Sequence, residues 1–270
     1  GQGPGDAADV PLEVQEAAIP DTAGATMTFT LGSDDLASFA FGSTAGIGIG
    51  AGYDDLAISW VGTGTDTLEG TVSGEPGATI VLTLTDEDLA AGTVKVNVEM
   101  SDEFKHVAPL SGADNNSFTI SGIEVVATDI DGSAAQGYAA VTVVDDVPSV
   151  EILTGATSVE EDGTTVNGTW TRAYGADAND ADHANEPATI KVLVGSNTYD
   201  LDSDIVLDQG TLRVNSDNTW TFDPNANQDG DQQVSFTVQI TDADGDVDED
   251  SHTIAITDGQ GPGDAADVPL

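Results

Sequence analysis

Ala140-Val-Thr-Val-Val-Asp-Asp-Val-Pro148 decides how this chain is read. An alternating apolar run, which predicts a half-buried strand, ends in two adjacent carboxylates. A proline follows, and proline stops strand pairing because it has no N–H to donate. A second apolar run starts at Val150. Acidic turns stand on either side: Thr128-Asp-Ile-Asp-Gly132 upstream and Val159-Glu-Glu-Asp-Gly163 downstream. We read the stretch as a junction between two domains, 13–147 and 148–258, clamped by calcium. Residues 1–12 and 259–270 are Gly-, Pro- and Asp-rich and are read as linkers.

Composition narrows the function classes. The 270 residues include 5 Lys+Arg against 49 Asp+Glu, a formal charge of -44. Binding to nucleic acid phosphates needs clustered Lys and Arg, so nucleic acid is excluded as a direct partner. An anionic membrane surface is disfavoured for the same reason, and no apolar run reaches the roughly 18 residues that a spanning helix needs. A hydrophobic fraction of 39% with alternating order argues for folded domains rather than a disordered acidic chain. So much like charge must be offset, and divalent cations would do it. With no cysteine, disulfides and thiolate metal sites are ruled out. The start, Gly-Gln-Gly-Pro-Gly-Asp, has neither the basic nor the apolar region of a signal peptide and reads as a cut through a longer chain. Residues 1–12, GQGPGDAADVPL, recur unchanged as residues 259–270. Either a tandem array or one linker used after several domains would give that identity.

Period-two alternation predicts strands over 25–31, 56–61, 67–73, 78–85, 93–100, 117–128 and 139–144 in the first half. In the second half it predicts them over 150–153, 165–171, 189–194, 211–214, 219–222, 234–241 and 252–257. Asp86–Gly92 reads as a single helical turn. Ser216-Asp-Asn218 reads as the turn of a hairpin. Both halves finish alike, with Thr128-Asp-Ile-Asp-Gly132 before one last strand and Thr241-Asp-Ala-Asp-Gly245 before the other. The fold class is therefore all-β: two related antiparallel β-sandwiches in tandem, joined by an acidic calcium-binding linker.

The Thr-Asp-x-Asp-Gly turns, the Asp-Asp-x-Pro junction, Val159-Glu-Glu-Asp-Gly163 and the hairpin Gly210-Thr-Leu-Arg-Val-Asn215…Trp220-Thr-Phe222 resemble repeats of giant bacterial RTX adhesins exported by type I secretion. Leu31-Gly-Ser-Asp-Asp-Leu36 and Ser38-Phe-Ala-Phe-Gly42 resemble a repeat of the same secreted class. The resemblance implies Ig-like or cadherin-like sandwiches in tandem, with calcium within and between them, on a bacterial cell surface and in biofilm adhesion. The glycine-rich nonapeptide repeats of that family are absent, which fits an internal region.

Calcium takes six to eight oxygen ligands in irregular geometry. An Asp-x-Asp turn aims two carboxylates at one point. Two carboxylates side by side repel, and a cation relieves them. By analogy with the cadherin arrangement, the expected central site is Asp129, Asp131, Asp145 and Asp146 with Glu160 or Glu161. Its C-terminal counterpart would use Asp242, Asp244, Asp258 and Asp267, and an N-terminal one Asp9, Glu13 and Glu16. The loop Asp177, Asn179, Asp180 and Asp182 either holds a calcium of its own or is a solvated insertion. Asp242–Asp250 is no EF-hand, because its glycine sits in the wrong place and no helices flank it. Gly46-Ile-Gly-Ile-Gly-Ala51 lacks the strand–turn–helix setting of a dinucleotide site. His106, His183 and His252 are too scattered for zinc and read as ordinary surface or edge residues. Trp60, Trp170 and Trp220 read as core. No nucleophile–base set is visible, so the chain is read as no enzyme.

Two functions fit. The first is a calcium-rigidified extender of a secreted, cell-surface bacterial adhesin, monomeric, whose partners are neighbouring repeats of its own chain. The alternative is a calcium-dependent peptide- or glycan-binding module in residues 13–147, walled by Gly42–Gly52 and Ser101–Gly112.

Overall fold

The computed structural model describes residues 2–50, 57–73, 78–102, 117–175, 188–226, 230–242 and 245–257. The chain forms two compact units that divide between Asp146 and Val147. Both are all-β sandwiches of two five-stranded sheets.

The strands of the first unit are β1 (Val10–Gln15), β2 (Asp21–Thr28), β3 (Leu36–Phe41), β4 (Gly48–Ile49), β5 (Ile58–Val61), β6 (Thr67–Val72), β7 (Thr79–Asp88), β8 (Thr93–Met100), β9 (Ser117–Asp129) and β10 (Ala134–Val144). One sheet runs β1-β10-β9-β3 with β4 on β9, the other β2-β8-β7-β6-β5. Alternation builds the core between them. In β8, Val94, Val96, Val98 and Met100 turn inward and are almost wholly buried, while Lys95, Asn97 and Glu99 turn away. Each such apolar side chain contributes roughly 1.5–3 kcal/mol through burial. Phe29, Phe41, Ile123, Val125 and Val141 complete the same core.

β1 pairs with β10 in parallel, with Gln15 opposite Val144. A 3-10 turn at Glu16–Ala18 and a cis Ile19–Pro20 bond then carry the chain into β2 of the other sheet. Residues 2–12, expected as linker, are part of this unit. Gly5 bridges Thr30, the Ala7 N–H donates to the Gln136 carbonyl at 3.0 Å, and Leu12 is buried. Gly, Pro and Asp there serve an irregular strand lying on the sandwich rather than a spacer. The helical turn expected at Asp86–Gly92 is instead a hairpin end. Pairing persists to Asp88 opposite Thr93 after a bulge, with Asp86 at φ 48° and Gly92 at φ 72°. The Ala91 N–H donates to Asp88 Oδ1 at 2.9 Å.

The second unit contains β11 (Ser149–Gly155), β12 (Ser158–Glu160), β13 (Val166–Ala173), β14 (Thr189–Val194), β15 (Asn197–Asp200), β16 (Ile205–Leu207), β17 (Gly210–Val214), β18 (Thr219–Pro224), β19 (Gln232–Thr241) and β20 (Val247–Thr257). Its sheets are β11-β13-β18-β17-β16 and β12-β20-β19-β14-β15. Again one short strand, β12, pairs in parallel with the last, Glu160 opposite Thr257. Trp170 and Trp220 are core, with Phe222 and Phe236, while Trp60 of the first unit is only partly buried. His252 is half-buried rather than a plain edge residue. Its ring lies 5.0 Å from that of Trp220, and its Nε2 is 2.9 Å from the Ala156 carbonyl. Ser216-Asp-Asn218 does turn the β17–β18 hairpin, with Asn218 at φ 68°.

Candidate metal centres

Parallel pairing brings strand ends of the same sense together. Because Gln15 lies opposite Val144, the next residues on each strand, Glu16 and Asp145, are delivered to one place. Glu16, Asp145 and Asp146 each offer a carboxylate oxygen there within 4.8 Å of the others, with Glu16 and Asp145 buried and Asp146 partly so. Glu16 is 1% exposed and Asp145 3%. Three carboxylates at that separation repel strongly unless a cation or protons intervene.

A second group sits at the far end of the same unit. Asp34, Asp129 and Asp131 also place carboxylate oxygens within 4.8 Å of one another. The β9–β10 turn shapes it. Asp129 Oδ1 accepts the N–H of Ser133 at 2.8 Å and of Asp131 at 3.2 Å. Asp129 Oδ2 is buried and makes no hydrogen bond. Asp131 is exposed and its carboxyl is held below the ordinary value of 3.8. The adjoining Asp129 carboxyl is the first cause, followed by the Ser133 hydroxyl and the Ser133 N–H. The 32–35 loop that carries Asp34 is fastened at both sides, Ser33 N–H to the Gln2 carbonyl and Ile130 N–H to the Asp35 carbonyl.

Asp129 and Asp131 therefore do not join Asp145 and Asp146 in one centre. The eleven residues of β10 stand between the pairs, and a strand rises about 3.3 Å per residue, which puts them roughly 35 Å apart. The third member of the Asp145–Asp146 group is Glu16, expected in an N-terminal set with Asp9 and Glu13. Those two are exposed. Glu13 alternates away from buried Leu12 and Val14, whereas Glu16 continues their inward alternation and opens the 3-10 turn. Asp34 was missed as a ligand, although Ser33-Asp-Asp35 is itself an acidic pair in a loop. Glu160 and Glu161 belong to the second unit.

That unit repeats the local chemistry. Asp242 Oδ1 accepts the N–H of Asp246 at 2.7 Å and of Gly245 at 3.0 Å. The Asp242 N–H donates to the Asp246 carbonyl, as the Asp129 N–H does to that of Ser133. Buried Glu161 follows β12 as buried Glu16 follows β1. Asp177, Asn179, Asp180, Asp182, Asp244, Asp258, Asp267, His106 and His183 lie outside the described residues. The rest of Asp242–Asp250 has another use. Asp248 and Asp250 project from β20 and accept the N–H groups of Val150 and Ile152 of β11, both at 2.7 Å.

All of these donors are hard oxygens, which suit calcium or magnesium rather than zinc or copper. The buried Asp129 oxygen with no hydrogen bond fits a cation at that point.

Residues 145–257 match the profile of the bacterial Ig domain. That match lies on the second unit, and the chain as a whole is two β-sandwiches in tandem, each of two five-stranded sheets. No curated protein matches it. Among solved structures it is similar to the tandem Ig repeats of Dlar, at 14% identity over 96% of this chain and 99% of that one, with a TM-score of 0.25. It is also similar to a putative membrane anchored protein from Corynebacterium diphtheriae, at 13% identity over 94% and 55% of the two chains and a TM-score of 0.34. Protocadherin gamma B2 extracellular cadherin domains 3–6 give 13% identity over 92% and 45% and a TM-score of 0.29. The chain thus spans about half the length of the latter two. Among the described residues no helix is long and apolar enough to cross a membrane.

Proposed function

We propose that the chain is a calcium-rigidified extender segment of a secreted bacterial surface adhesin, non-enzymatic and monomeric, carrying a distal binding module away from the cell. One observation carries the reading: Glu16, Asp145 and Asp146 gather at the residue where the first unit ends. Calcium there would relieve carboxylate repulsion and fix the backbone as it leaves the sandwich. Asp34, Asp129 and Asp131 would hold a second ion, and Glu161, Asp242 and Asp246 would contribute to the corresponding places of the second unit. The family match supports a bacterial Ig-like setting. The -44 charge supports a need for divalent cations.

The test is small-angle scattering with a thermal melt of the same samples, in calcium and in chelator. A stiff profile with a higher melting temperature in calcium, and a flexible one in chelator, is the expected result. A shape and a melt indifferent to calcium would overturn the reading.

A further inference from the structure

Among the described residues of the first unit, one buried carboxylate belongs to neither acidic group. Glu124 lies midway along β9, where the in–out alternation fails: Ile123, Glu124 and Val125 are buried in succession. A bulge just before it shifts the β9–β10 register between Ala139 and Val141, with Gly122 at φ 78°. The segment that follows β3 then folds over the outer face of the sheet and covers Glu124. The seat is closely fitted. The Ser43 N–H donates to Oε2 at 2.5 Å, and the Gln136 side-chain amide donates to Oε1. A Cβ on Gly42 would stand 2.1 Å from Oε2, so a larger residue there would push the carboxylate out of its present seat. Gln136 is held in turn by the segment before β1, its N–H on Asp6 Oδ1 at 2.9 Å and its carbonyl on the Ala7 N–H.

Both donors to Glu124 are neutral. A charge 9% exposed ordinarily needs a countercharge, and among the described residues no basic side chain pairs with it. The one basic residue among the first unit's described residues is Lys95, on β8 of the other sheet. Beside the carboxylate opens a groove of about 580 Å³, bordered by Ala40, Thr44, Thr63, Val126 and Thr128. Its size is that of a site for a small ligand or a few residues of peptide. Among the described residues that border it, Glu124 alone is charged. One carboxylate among hydroxyls and small apolar groups is too few oxygens for calcium. It suits a planar or tetrahedral nitrogen cation on an aliphatic stem.

We infer that this groove binds a basic side chain, arginine above all, presented by a partner polypeptide. The guanidinium would rest on Glu124 and the stem on Ala40 and Val126. Arginine is favoured because its fork of N–H donors reaches a carboxylate and adjoining hydroxyls together. The site is independent of the calcium reading, so its failure would leave the calcium-dependent melt unchanged.

The experiment is an amide-resolved NMR titration of the full chain, at physiological salt with calcium in excess. The probe is acetyl-Gly-Gly-Arg-Gly-Gly-amide, and the same peptide with neutral citrulline is the comparison. Saturable shifts confined to Ser43, Thr44, Thr128 and the Gln136 side chain, with binding at least about tenfold weaker for citrulline, are expected. Glu124→Gln should weaken the arginine peptide by a similar factor. Glu87→Gln removes one exposed charge elsewhere and should leave binding unchanged. Should Glu124→Gln fail to fold, Ala45→Trp at the exposed rim should block the groove with the carboxylate intact. Equal binding of the two peptides, equal loss in Glu87→Gln and Glu124→Gln, or shifts spread over the acidic turns would each overturn the proposal.

Discussion

The two acidic groups of the first unit each bring three carboxylate oxygens within 4.8 Å of one another, yet they are built differently. Glu16 and Asp145 are buried and Asp146 partly so, and parallel strand pairing assembles them from the ends of β1 and β10. Asp34, Asp129 and Asp131 range from half-buried through buried to exposed and come from the 32–35 loop, the end of β9 and the turn after it. In the second group the backbone already meets part of the charge, since Asp129 Oδ1 takes two N–H groups. The first group lies deeper, where repulsion is less screened. The difference teaches that the strand-end group should depend more steeply on a cation than the turn group does.

Replacing Asp145 and Asp146 together with Ala should give the largest effect. In excess calcium the first unit should lose about 3 kcal/mol, the linkage worth of one ion near a hundredfold above its dissociation constant. In chelator the same variant should match or exceed the wild type, because two mutually repelling charges are gone. Urea unfolding in both conditions, with calcium stoichiometry by calorimetry, checks it. An equal loss in calcium and in chelator would mean that the carboxylates are ordinary structural acceptors.

Asp129→Asn tests the turn group. It keeps one acceptor oxygen but removes the charge, so calcium affinity should fall about tenfold, near 1.4 kcal/mol. The charge-assisted N–H bonds should weaken by about 1 kcal/mol whether or not calcium is present. A calcium-independent component separates this group from the strand-end one. Its absence would erase the distinction.

Ser133→Asp asks the two units to resemble each other, since Asp246 occupies the place of Ser133 in the other turn. An added carboxylate should destabilise the apo turn by a few tenths of a kcal/mol, as like charges do at close range on a surface. It should also raise calcium affinity. Calorimetry showing weaker binding would mean that position 133 faces away from the ion.

Much of this was legible in the chain. Val94, Val96, Val98 and Met100 announce β8 through alternation alone. The like endings at Asp129–Gly132 and Asp242–Gly245 announce two related sandwiches. What the sequence concealed is which ends meet. Asp129 and Asp145 look adjacent to one junction, but a strand of eleven residues joins them and holds them apart. Glu16 looks remote from Asp145, but a parallel ladder brings it home. Parallel pairing of a short first strand leaves no local signature, because it depends on a partner more than a hundred residues away. Residues 2–9 were hidden for a related reason: glycine and proline mark irregular backbone without saying whether it packs.

The smallest expected effect concerns acid. Asp131 is held below 3.8 in the folded chain, so the stability it contributes is present above that value and is lost as the pH falls through its lower, folded one. Asp202 of the second unit is also held low, but the Ser216 N–H is the first cause there. The two should therefore respond differently to loss of a hydroxyl. In chelator, carbon-detected titration of the carboxyl groups should place both midpoints under 3.8. Ser133→Ala should move Asp131 upward, because the hydroxyl of Ser133 and the carboxyl of Asp129 act together on it. Ser216→Ala should leave Asp202 low, since the backbone donor remains. If Asp131 ignores the loss of the Ser133 hydroxyl, its low value comes from Asp129 and the backbone alone. The turn group would then be held by backbone donors just as the Asp202 turn is, and its claim to a cation would rest on Asp34 and Asp129.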